Sequence, residues 1–268
     1  MNRRAPLRRP PAPGGRRAAS ARRAPVSLAA AVLLAAVPSG AAQAAPPKPL
    51  GETGRLAASS CPEPPLIDGG VPRTREYLTA AVRCLNRAWS AHLSRAGLPF
   101  RAPRVRFHDA PGERACGDRP WPDADAFHCA DQGTVVFMLT GEWIEGRTDL
   151  HPLKVAAHEY GHHLQSLTGI HASYAARFRA RGARRAELRR RYELQADCLS
   201  GVFLGSVRRS LKRTGQDWEE LFEAVRRSGD GDGTHGSGAN RLRWFKRGYG
   251  ALSPAACDTW TAGASRVS

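Results

Sequence analysis

The chain has 268 residues, 41% hydrophobic and 24% charged, with a formal net charge of +17. The length suits one large domain or two modest ones once any targeting segment is removed. No apolar run reaches the roughly 20 residues that a stable membrane-spanning helix needs.

Residues 1–44 hold the arginines of an n-region up to Arg23, and no acidic residue. An apolar run over residues 26–37 follows, then Pro38-Ser39-Gly40 and Ala42-Gln43-Ala44. This is the layout of a secretory signal peptide over residues 1–44, cleaved after Ala44 or Ala45. It predicts a secreted, extracytoplasmic protein with no stable membrane anchor after cleavage. All six cysteines follow the signal. An even count in an exported chain predicts three disulfides, and sequence proximity favours Cys61–Cys84, Cys116–Cys129 and Cys198–Cys257. None shows the CxxC spacing of a cysteine zinc site.

Residues 45–70 are rich in Pro, Gly, Ala and Ser without periodicity, which predicts a flexible tether that becomes ordered near Cys61. From 71 to 268 a single domain is expected. Leu78, Val82, Leu85, Trp89 and Leu93 recur at helical spacing, so residues 74–96 form a helix that Gly97 and Pro99 end. Residues 104–108 read as a short strand. A Pro/Gly/Asp-rich loop at 110–126 follows, which Cys116 and Cys129 could close.

The strongest strand is 134–139, Thr-Val-Val-Phe-Met-Leu. It is either a buried core strand or a sheet edge that pairs with an extended substrate through backbone hydrogen bonds. A helix then begins near Asp149, its candidate N-cap, with Pro152 in the first turn and Gly169 at its end. Further helices are expected at 183–204, 218–227 and 240–249, with a turn at 229–233. The arginines of 177–191 read as a solvated helix face, or as an attraction for anionic cell-wall polymers. No aromatic-interleaved basic motif accompanies them, so no nucleic acid is expected.

His158-Glu159-Tyr160-Gly161-His162 falls inside the helix that starts near Asp149. Two histidines at i, i+4 share one helix face and can reach a single ion. Glu159 is turned about 100° away, where a water-activating base belongs rather than a ligand. A catalytic zinc site usually has three protein ligands and one open position. Thr168 and Gln165 stand where a metzincin would have its third histidine and its glycine, so that class is excluded. His163 faces away from the pair, and His171 lies past the helix end. Glu193 and Asp197, an i, i+4 pair on the next helix, fit better. One carboxylate can bind Zn2+ while the other accepts the free ring N–H of a ligating histidine.

Three blocks carry a resemblance: His158-Glu159-Tyr160-Gly161-His162-His163-Leu164-Gln165, Tyr192-Glu193-Leu194-Gln195-Ala196-Asp197-Cys198, and Thr234-His235-Gly236-Ser237 with Arg241. Over residues 75–260 the chain resembles the neutral zinc metallopeptidase family of bacteria. The resemblance implies an α+β, zincin-like fold, with a small sheet, an active-site helix and a mainly helical C-terminal part. It implies zinc-dependent hydrolysis of a peptide or protein substrate. His158, His162 and Glu193 would be ligands in a gluzincin-type set, Glu159 the base and Asp197 the partner of a ligating histidine. His235 is the candidate donor to developing negative charge, or else a turn residue; the loop before it is shorter than the family's. The competing expectation is an exported zinc-binding or wall-binding protein of the same fold without turnover.

Overall fold

The computed structural model describes residues 49–65, 70–180, 182, 184–229 and 233–268; the expected signal peptide lies outside them, as do residues 230–232 of the expected turn. Helix α1 (Gly70–Arg95) buries Leu78, Val82, Leu85, Trp89 and Leu93, the apolar stripe of its sequence. Gly97, at φ +73°, lets the chain leave the helix.

The sheet contains β1 (Arg104–His108), β4 (Ala126–Cys129) and β5 (Thr134–Met138) in the order β1-β5-β4. β1 runs parallel to β5, from Arg104 opposite Thr134 to His108 opposite Met138. β4 runs antiparallel to β5, from Ala126 opposite Phe137 to Cys129 opposite Thr134. Of the two expectations for residues 134–139, the buried strand is the one realised: every residue of β5 is buried. The sheet edges are β1 and β4, and β4 is the one beside the cleft. An unbroken apolar run marks a strand covered on both faces, whereas an edge strand carries mixed residues such as Phe127 and His128. Between β1 and β4 the short strands β2 (Arg114–Ala115) and β3 (Arg119–Pro120) pair with each other.

The C-terminal part is helical: α2 (His151–Leu167), α3 (Ile170–Ala180), α4 (Arg185–Val207), α5 (Gly215–Arg227) and α6 (Gly238–Ala251). The N-cap of α2 is Leu150 rather than the expected Asp149, which stands one residue earlier and accepts from the His151 N–H at 3.0 Å. α3 was not foreseen. None of its residues is buried, so no hydrophobic period announces it. α4 and α6 meet backbone to backbone. A Cβ at Gly201 would lie 2.2 Å from the Phe245 carbonyl, and one at Gly248 would lie 2.0 Å from that of Cys198. α5 opens with a capping box between Thr214 and Asp217 and buries Trp218, Leu221, Phe222 and Val225.

All three expected disulfides are present. The tether expectation for residues 45–70 needs correction, because order begins well before Cys61. Leu50 and Leu56 are buried, the Leu56 N–H donates to the Leu252 carbonyl at 2.7 Å, and the Ser59 N–H donates to that of Ser206 at 3.1 Å. Two isolated leucines create no period, yet each buried side chain contributes about 1.5–3 kcal/mol toward docking. The arginine-rich segment is also less uniform than a solvated face. Arg191 is buried and donates to Glu187 and to the carbonyls of Thr259, Trp260 and Ala262, while Arg177, Arg179, Arg184, Arg185 and Arg189 are exposed. Among the described residues no helix is long and apolar enough to cross a membrane.

Candidate metal centre

α2 and α4 cross where Gly161 faces Ala196. A Cβ on Gly161 would sit 3.1 Å from the Ala196 Cα and carbonyl oxygen, so the missing side chain sets the approach. This crossing brings His158 and His162 of α2 against Glu193 and Asp197 of α4. Glu193 Oε2 lies 3.0 Å from His162 Nε2 and 3.5 Å from His158 Nε2.

The opposite ring nitrogens fix the tautomers. His158 Nδ1 is 2.9 Å from Asp197 Oδ1, and a carboxylate only accepts, so Nδ1 carries the proton. His162 Nδ1 is 2.8 Å from Gln165 Oε1, whose amide nitrogen donates to the Tyr192 carbonyl and to Gln195 Oε1. Each histidine therefore turns its Nε2 toward Glu193. This is the orientation in which imidazoles bind a metal with a second partner behind them.

Electrostatics agree with the geometry. Burial works against ionising Glu193, but His162 and His158 outweigh it and hold the carboxyl well below the usual range. Burial likewise opposes charge on His162, yet Glu193 and Glu159 push it up to about 9. A proton thus collects where a cation would neutralise the carboxylate. Glu159 is buried, and burial raises its pKa against the pull of His162 and His158.

Asp197 is fully buried and serves three partners. Besides His158 it accepts from Lys154 Nζ at 2.8 Å and from Arg241 Nε and Nη2 at 2.8 and 3.2 Å. Burial would disfavour its charge; Arg241 and Lys154 reverse that and hold it far below the ordinary carboxylate range. Lys154, Gln165 and Arg241 were not singled out from the sequence as partners of the site. For Lys154 a signal existed, since residues 154, 158 and 162 form one i, i+4 stripe. Gln165 follows His162 by three residues, which is also same-face spacing. Nothing in the spacing of Arg241 points to Asp197.

His235 reaches the same place from the loop before α6. Its Nε2 is 3.5 Å from Glu193 Oε2, and its Nδ1 is 2.6 Å from the Thr234 hydroxyl. His171 stays out of the cluster and bonds the Tyr192 hydroxyl at 3.0 Å. His163 turns away as expected and donates to the Arg101 carbonyl at 2.7 Å. The centre opens into a cleft of about 590 Å³ that includes His158, Glu159, His162, Glu193 and His235, with β4 and the loop before it along one side. The donor types fit zinc, imidazole nitrogens and one carboxylate oxygen beside a carboxyl that can take a proton, and those of His158, Glu193 and His235 all lie within 4.8 Å of one another, a group that does not include His162.

The profile of a family described as putative neutral zinc metallopeptidase matches residues 73–260. Uncharacterized protein YpfJ of Escherichia coli K12 is 30% identical over 200 residues, covering 64% of this chain and 66% of the relative. Uncharacterized protein Rv2575 of Mycobacterium tuberculosis H37Rv is 35% identical over 133 residues, covering 40% and 43%. The chain thus spans just under two thirds of the first relative's length. No solved structure matches it.

Proposed function

The chain belongs to the putative neutral zinc metallopeptidase family, and from that premise we propose that its cleft hydrolyses peptide bonds with zinc held by His158, His162 and Glu193. One observation carries the reading: two imidazole Nε2 atoms converge on one carboxylate oxygen with buried Glu159 beside them, at the floor of an open cleft. When bound, zinc supplies Lewis-acid polarisation of the scissile carbonyl and acidifies the attacking water. Glu159 takes the proton from that water and delivers it to the nitrogen of the breaking C–N bond, so the amine leaves neutral. Its raised proton affinity suits a group that must hold the proton between the two events.

Asp197 keeps His158 in the binding tautomer, as Gln165 does for His162. β4, the edge strand beside the cleft, is where an extended peptide would add a further strand beside α2. A zincin-like architecture with a gluzincin-type ligand set is the fold reading consistent with this. The three disulfides and the arginine-led apolar start support export.

One observation favours the reading without turnover. His235 offers a fourth donor, and structural zinc sites are closed by four. Metal analysis and cleavage of an unfolded protein substrate separate the two. The peptidase should hold about one zinc per chain and lose cleavage to a chelator. Glu159→Gln should keep the zinc and lose on the order of 10²–10⁴-fold in turnover. Zinc-loaded protein that cleaves nothing, or a Glu159→Gln variant with unchanged turnover, overturns the peptidase reading.

A further inference from the structure

The approach of His235 is more specific than a neighbouring imidazole requires. The donor atoms that all lie within 4.8 Å of one another are those of His158, Glu193 and His235, and His162 is tied to them through Glu193 at 3.0 Å. Two donors on one tetrahedral zinc, each about 2.05 Å from it, are about 3.3 Å apart. From Glu193 Oε2 the three histidine Nε2 atoms lie at 3.0, 3.5 and 3.5 Å, so each sits near that spacing from the carboxylate, and His158 and His235 are also within 4.8 Å of each other, while His162 reaches the group through Glu193.

The four groups are not held alike. The side chains of His158, His162 and Glu193 are 7, 9 and 12% exposed and ride on long helices; that of His235 is 34% exposed. His235 stands between Gly233 and Gly236, whose φ angles of +76° and +83° lie where glycine turns most freely. Three donors ride on helices and the fourth on a glycine-flanked turn.

We propose that His235 is a displaceable fourth zinc donor, closing the centre in the substrate-free protein and leaving when a peptide enters. This rests on the zinc reading above and replaces the expected role of His235 as a donor to developing charge. The reason is positional: its Nε2 lies 3.5 Å from the ligand carboxylate oxygen. The proposal joins the two features of the site that otherwise conflict, a base placed for turnover and a donor set as full as that of a structural centre.

The test uses the full chain stripped of metal and reloaded with Co2+ or Zn2+. Wild-type protein should give the Co2+ absorption of a four-donor tetrahedral centre. His235→Ala should change those bands and weaken zinc binding by about 10–100-fold or more, at or above the range for a partner one bond further out, while still binding one zinc per chain. His235→Cys should add a thiolate-to-cobalt charge-transfer band. Metal-free His235→Ala should melt with metal-free wild type, which separates lost ligation from lost folding. Unchanged bands and affinity in His235→Ala, with no charge-transfer band in His235→Cys, overturn the proposal and leave the peptidase reading intact. Complete loss of zinc from a folded His235→Ala overturns displaceability, since the ligand would then be indispensable. Wild-type protein that takes up neither metal overturns both this proposal and the peptidase reading.

Discussion

The two sides of the cleft are built on opposite plans. On one side α2 and α4 cross at a glycine, and three of the polar side chains they present have a second partner behind them: Asp197 for His158, Gln165 for His162, Lys154 and Arg241 for Asp197. On the other side stand less deeply packed elements: the short β2–β3 hairpin, α3 without a buried residue, and the turn that carries half-buried His235 between buried Thr234 and Gly236. The helical side fixes donors to within a bond's tolerance, while the loop side can change shape at little cost because few packed atoms move with it. On the proposed reading, a site that grips an ion and admits a chain uses both.

The largest effect should come from Asp197→Asn. It leaves Lys154 and Arg241 buried opposite a neutral amide, and removing one partner of a buried ion group costs about 3–5 kcal/mol. Zinc affinity should fall about 10–100-fold with it, as His158 loses its orienting acceptor. Urea unfolding of the metal-free protein and a chelator competition measure the two. If stability falls and affinity does not, the helical side is scaffold alone and the comparison fails.

Gly161→Ala is expected next, at about 1–3 kcal/mol, because the added methyl meets backbone at 3.1 Å and one helix must shift. The same shift should weaken zinc binding, read in the same competition. Normal zinc affinity would show that donor spacing tolerates the movement.

Thr214→Ala should do least. It removes the N-cap of α5, worth about 1 kcal/mol. α5 lends no side chain to the cleft, so zinc affinity should stay at the wild-type value. A drop comparable to that of Asp197→Asn would mean that the centre reports global stability rather than its own wiring.

Much of this arrangement is legible in the sequence, for identifiable reasons. Long helices with an apolar period, α1 and α2, are recoverable because burial imposes the period. Glu193 and Asp197 stand out because a shared helix face is a matter of counting. Properties that depend on what lies across from a residue are not recoverable in this way. Nothing in Thr134–Met138 says that Ala126–Cys129 will cover its flank and become an edge. Nothing in the residues around Leu50 and Leu56 says that α6 and its exit will receive them. Arg241 finds Asp197 across 44 residues, and only the close glycine packing of α4 on α6 puts it there. His235 is visible in the sequence as a candidate hydrogen-bond donor, but its place 3.5 Å from Glu193 is not, since a turn rather than a period sets that distance.

The final stretch of chain ties the loop side to the helical side. The Ser268 carbonyl accepts from the Ser237 N–H at 3.0 Å and from Asn240 at 2.7 Å, Arg190 donates to the Val267 carbonyl, and Trp244 donates to that of Arg266. During synthesis α2 and α4 emerge, and can cross, before residues 259–268 exist. The loop that carries His235 can settle only after them, because contacts of long sequence separation must wait for both ends. A chain shortened to residue 258 would keep His158, His162, Glu193 and His235 and lose the contacts that latch the turn before α6.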